Sequence, residues 1–152
     1  MTEKRAAPSQ LLSVGAEAPG FSLPNQAGES VTLDAFRGKV NVVLVFYPGD
    51  STPGCTKQLC AIRDQFGSFD KADVVVFGVN PQSAESHERF VRKRRFPFSL
   101  LVDQGKKVAS AYGCKGVLTT KRTVYGINRD GIIVFARRGM PSNEEILNAF
   151  KA

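Results

Sequence analysis

The sequence predicts an α/β fold in which a central mixed sheet is flanked by helices. Three observations carry this. Residues 40–47 and 74–79 are short apolar runs rich in Val, the mark of strands buried on both faces. Each is followed by a stretch of helical spacing before the next apolar run, the alternation that builds strand–helix–strand units. Residues 123–127 and 132–136 then flank Asn128-Arg129-Asp130-Gly131, a turn signal for an antiparallel hairpin.

In chain order, residues 1–12 mix charges with Pro8 and Ser9 and read as a flexible arm, with one domain over 13–152. Residues 21–23 and 30–33 look like short strands around Gly28, an N-terminal strand extension. After strand 40–47 comes a loop to Pro53 and a helix from Cys55 to about Phe69, whose Ile62, Phe66 and Phe69 share one face. Strand 74–79, helix 83–94, strand 98–102 and a short helix 106–112 follow. After the hairpin, Ser142 suits a helix N-cap, and Glu145 three residues on completes a capping box. This order fits a thioredoxin-like arrangement. The turn after strand 40–47 then lies at the carboxyl end of a central strand, where active sites of open α/β sheets gather.

At 152 residues with 42% hydrophobic content, the chain can bury a full core without disulfide or metal staples. Its formal charge of +7 raises nucleic acid as a partner, but much of the excess sits in Arg89, Arg92, Lys93, Arg94 and Arg95, with no aromatic or zinc-finger pattern beside it. A solvated helix face is the expected reading, with no specific nucleic acid. No run approaches the roughly 20 apolar residues of a membrane span, and the opening has no signal-peptide segment, so a cytoplasmic location is expected. A cleaved organellar peptide is the alternative. With His87 the only histidine, no metal-ligand spacing accompanies Cys55, Cys60 and Cys114, and neither metal nor other cofactor is expected.

Redox or nucleophilic chemistry is therefore the leading use of Cys55 and Cys60. Pro53 fits the first turn of a helix, with Thr52 as N-cap and Cys55 in that turn, where free N–H groups and the helix dipole favour a thiolate. A helix terminus supplies only about 1–2 kcal/mol, so a cation is needed as well, and Arg122 at the start of the hairpin is the candidate. The Thr52 hydroxyl, the N–H groups near Cys55 and Arg122 could together stabilise a departing oxyanion.

The residues Pro48, Thr52 and Cys55 meet the pattern Pro-x-x-x-Thr-x-x-Cys, within Thr52-Pro53-Gly54-Cys55-Thr56 and with Cys60 five residues on. Here the sequence resembles the peroxiredoxins, and among them the bacterioferritin-comigratory-protein or Q-type group. Val14-Gly15, Ala18-Pro19, Gly38-Lys39, Ser86-His87 and Arg122-Thr123 extend the likeness over most of the chain. The resemblance implies that Cys55 attacks a hydroperoxide to give a sulfenic acid and that Cys60 condenses with it. It further implies that thioredoxin or a similar dithiol protein reduces the resulting disulfide, that Pro48 shields the sulfur, and that Thr52 and Arg122 activate it. A monomer is expected. Gly49 and Ser51 stand where the group often has Lys and an aromatic, and Gln58 where it often has Glu.

Blander readings stand beside these. Cys60 could be a core helix position, Arg122 a surface residue, Cys114 an ordinary packed residue and His87 a structural histidine. Two rival functions remain: a general thiol-disulfide oxidoreductase, although the chain has no Cys-x-x-Cys pair, and a non-enzymatic binding or chaperone-like protein using its basic face.

Overall fold

In the computed structural model, which describes residues 10–151, the chain begins with a small hairpin of β1 (Ser22–Pro24) and β2 (Ser30–Thr32). The main sheet contains β3 (Asn41–Phe46), β4 (Val74–Asn80), β5 (Ser99–Val102), β6 (Thr123–Ile127) and β7 (Ile133–Arg138), in the order β5-β4-β3-β6-β7. Strands β3, β4 and β5 are parallel, and β6 and β7 run antiparallel to their neighbours. The sheet is mixed and the fold thioredoxin-like, as the sequence order predicts. Most of the expected arm, residues 1–9, lies outside the described residues.

The helices are α1 (Pro53–Asp64), α2 (Phe66–Lys71), α3 (Ala84–Arg94), α4 (Lys107–Ala111) and α5 (Asn143–Asn148). Central β3 explains why its sequence is an unbroken apolar run. Val43, Val45 and Tyr47 face a cluster with Leu59, Phe69 and Phe90, while Val42, Leu44 and Phe46 face one with Val108, Tyr112 and Ile133. Each fully buried side chain of this kind stabilises the fold by roughly 1.5–3 kcal/mol. The capping box forms: the Ser142 hydroxyl accepts from the Glu145 N–H, and the Glu145 carboxylate accepts from the Ser142 N–H.

One expectation is corrected. The helix starts at Pro53 behind the expected N-cap Thr52, but the stretch expected to stay helical to about Phe69 is broken at Gln65, whose backbone (φ −120°, ψ 25°) leaves the helical region. Ile62, Phe66 and Phe69 still pack on one core cluster, which is why the periodicity ran smoothly through the break. The N-terminal strand extension forms as expected, as a hairpin in a small sheet of its own tied to the main one through a bridge from Asn25 to Leu101.

Candidate active site

Strand β3 ends at Phe46, and residues 47–52 carry the chain to α1, with Thr52 at the N-cap and Pro53 in the first turn. Cys55 falls in that turn and is wholly buried. The expected capping bond is absent, because the Thr52 hydroxyl instead donates to the Gly49 carbonyl at 2.9 Å. That bond closes the loop on itself and leaves the lone pairs of the exposed hydroxyl free to accept. Pro48 is half-buried at the mouth of the same loop.

Arg122, immediately before β6, reaches the site from the other side of β3. Its Nη2 donates to Cys55 Sγ at 3.4 Å and its Nη1 to Gln58 Oε1 at 2.7 Å. The approach depends on Gly54: a Cβ there would stand 3.1 Å from Nη2. Gln58 is buried, and its Nε2 donates to the Gly139 carbonyl at 3.4 Å, while the Gly139 N–H donates to the Arg122 carbonyl. Side chain and backbone thus form a closed ring that fixes the guanidinium from both ends. The amide of Gln58 uses its oxygen and its nitrogen in this ring; a carboxylate could supply only the acceptor.

Cys60 lies about 1.4 turns beyond Cys55 on α1, half-buried against the same core cluster. Cys114 is buried in the cluster on the opposite face of the sheet, where its thiol donates to the Tyr112 carbonyl and burial pushes its pKa up. Among the described residues, no group of three or more His, Cys, Asp or Glu could hold a metal ion, and no helix is long and apolar enough to cross a membrane.

Beside the residues read from the sequence, the loop carries a buried polar cluster that the sequence reading did not assemble. Asp50, between Pro48 and Thr52, accepts from His87 Nδ1 at 2.6 Å, from the Ser86 hydroxyl at 2.7 Å and from the Tyr47 hydroxyl at 2.5 Å. Burial alone would push the Asp50 carboxyl up, but the bonds from His87, Tyr47 and Ser86 outweigh it and hold the carboxyl below its usual range. Burial and the nearby carboxylate keep the Tyr47 hydroxyl protonated and hence a donor. His87 Nε2 faces the Leu101 carbonyl at 2.9 Å. Each ring nitrogen of His87 thus has an oxygen within hydrogen-bond distance, Asp50 on one side and the Leu101 carbonyl on the other. Next to Asp50, Ser51 is held at φ 63°, a left-handed conformation costing an L-residue roughly 1–2 kcal/mol.

The arrangement suits the activation of a sulfur nucleophile and the stabilisation of charge on a leaving oxygen beside it. A model of the AhpC/TSA family matches residues 14–136. The chloroplastic peroxiredoxin Q of Triticum aestivum is 42% identical over 128 residues, which cover 82% of this chain and 58% of that protein. The chain therefore spans less than two thirds of the length of this and several other plant relatives. A putative peroxiredoxin bcp of Coxiella burnetii is 40% identical over 133 residues, covering 80% of this chain and 85% of that one. Among solved structures, peroxidoxin BcpB of Mycobacterium tuberculosis superposes with a TM-score of 0.85 at 28% identity, over 91% of this chain and 96% of that one. Peroxiredoxin Q of Xanthomonas campestris superposes with a TM-score of 0.79 at 31% identity, over 86% and 89% respectively.

Proposed function

The chain belongs to the AhpC/TSA family, and from that premise we propose that it is a thiol peroxidase with Cys55 as nucleophile and Cys60 as resolving cysteine. The observation that carries the reading is the Arg122 guanidinium, 3.4 Å from a wholly buried sulfur in the first turn of a helix. The Cys55 thiolate attacks the terminal oxygen of a hydroperoxide; the O–O bond breaks, sulfur is oxidised to the sulfenic acid, and the leaving oxygen takes a proton to depart as water or alcohol. Arg122 and the N–H groups of the first turn stabilise that oxygen as charge develops, with the Thr52 hydroxyl as acceptor for the peroxide proton. The Cys60 thiol then displaces hydroxide from the sulfenic sulfur, giving the Cys55–Cys60 disulfide and one water. A dithiol protein such as thioredoxin reduces that bond and is itself oxidised to a disulfide.

The lack of a Cys-x-x-Cys pair supports peroxidase over general thiol-disulfide exchange. A coupled assay with thioredoxin, its reductase and several hydroperoxides tests the reading. Peroxide-dependent turnover abolished by Cys55→Ser is expected. Insulin reduction without peroxide consumption would replace the peroxidase with the oxidoreductase.

A further inference from the structure

We propose that the buried Asp50–His87 pair is the positioning device of the Cys55 loop, fixing residues 48–52 to α3 and the sheet so that α1 alone opens when Cys55 joins Cys60. The inference rests on the peroxidase reading above, and the geometry behind it is independent of that reading.

Two cysteines five residues apart on a regular helix have Cα atoms about 8.7 Å apart, from about 7.5 Å of rise and the offset of ~140° of turn. A disulfide needs roughly 4.4–6.8 Å. Part of α1 must therefore unwind in every cycle and rewind afterwards. The far end of the moving segment is held: Leu59 and Ile62 are buried, Arg63 Nη1 donates to the Arg94 carbonyl, and Asn143 Nδ2 donates to the Ala61 carbonyl. Something must hold the near end as well, or the strained turn at Ser51 would relax and the Cys55 pocket would have to be rebuilt each time.

The groups facing Asp50 are suited to that task. Tyr47 comes from the end of β3, Asn80 from β4, and Ser86 and His87 from α3. Gln82 adds an oxygen that accepts the Asp50 backbone N–H. The Tyr47 ring in turn occupies space that Gly78 leaves free, since a Cβ at Gly78 would stand 3.0 Å from that ring and 2.6 Å from Leu100. The carboxylate is thereby tied to three separate elements, and the His87 ring links it on to the Leu101 carbonyl of β5. None of these groups contacts Cys55 Sγ through a hydrogen bond in the structure; they act through the loop.

Two substitutions at His87 separate the two bonds it makes. The side-chain nitrogen of Asn can stand near Nδ1 and keep a donor to Asp50, whereas that of Gln stands near Nε2 and keeps only the Leu101 contact. In the reduced protein, His87→Gln is expected to lower hydrogen-exchange protection of the Asp50 amide at least about tenfold and His87→Asn much less. The second-order rate constant for hydrogen peroxide is expected to fall about tenfold further in His87→Gln than in His87→Asn, since small misplacements of a reacting group are costly. A purely structural histidine would lower the melting temperature in both variants and leave no such gap. Equal rate constants in the two variants, or an Asp50 amide as protected in His87→Gln as in the parent, would overturn the proposal. A parent protein that consumes no peroxide would sink the peroxidase reading, while amide exchange in the reduced state would still decide the positioning role. If neither His87 variant folds, Tyr47→Phe removes the hydroxyl from the other carboxylate oxygen. It should then expose the Asp50 amide in the same way, and full protection would overturn the proposal.

Discussion

Cys55 Sγ lies 3.4 Å from Nη2 of Arg122, a residue 67 positions further along the chain, and the guanidinium reaches it over the bare Cα of Gly54. Three separate sequence features meet in that contact: a proline-started helix, a glycine in its first turn and an arginine at the mouth of the hairpin.

Replacing Arg122 with Ala should therefore slow the reaction of Cys55 with hydrogen peroxide by about two orders of magnitude or more, as for loss of one charge-stabilising donor. Arg122→Lys should recover part of that loss, because an ammonium supplies the charge without the fork that also holds Gln58. Stopped-flow oxidation of the reduced protein measures both. An unchanged rate in Arg122→Ala would remove Arg122 from the site.

Gly54→Ala separates activity from stability. The new Cβ would press the Arg122 Nη2 outward by a few tenths of an ångström, while Ala favours the helix over Gly by about 1 kcal/mol. A rate several-fold lower, with a melting temperature equal to or above that of the parent, is the expected pair of results. A lower melting temperature with an unaltered rate would contradict this account of the contact.

Cys60→Ser should leave the first oxidation of Cys55 intact and stop thioredoxin-supported turnover, with the sulfenic acid accumulating and trappable by dimedone. In the parent, mass spectrometry of the oxidised protein should find Cys55 joined to Cys60, and hydrogen exchange should speed up across residues 54–60. A Cys55–Cys114 bond would require passage between the two faces of the sheet and would overturn the assignment.

The Asp50 carboxyl titrates below its ordinary value in the fold, so it contributes stability that is present above the unfolded value of about 3.9. That contribution is lost as pH falls through the lower folded value. Asp50→Asn should be less stable than the parent at neutral pH, and its stability should fall less steeply below about pH 4. Urea melts at a series of pH values test this. Parallel stability curves for parent and variant would show that the carboxyl is not held by its hydrogen bonds.

Much of this was legible in the sequence because the signals are local. Apolar runs, a hairpin turn and the Ser142–Glu145 box each specify a few consecutive residues, and each formed as expected. The break at Gln65 was not legible, since Ile62, Phe66 and Phe69 keep their phase across it and no Pro marks the site. The cap at Thr52 was read from residue type; its hydroxyl was diverted to Gly49 by the shape of the loop. The Asp50–His87 pair was hidden for a different reason. Its members are 37 residues apart, and a lone histidine in an exposed-looking helix gives no hint of a partner. Only the docking of α3 beside the end of β3 brings the pair together.

The complete enclosure of Cys55 also bears on traffic between this protein and its reductant. On the cycle proposed above, a dithiol protein that meets the resting form finds two free thiols and no disulfide to attack. After oxidation, the unwinding that a Cys55–Cys60 bond requires would bring that bond toward the surface. On the proposed cycle the helix would thus report at the surface whether the sulfur beneath it has been spent, and a reductant present in small amounts would not be tied up by copies that have nothing to return.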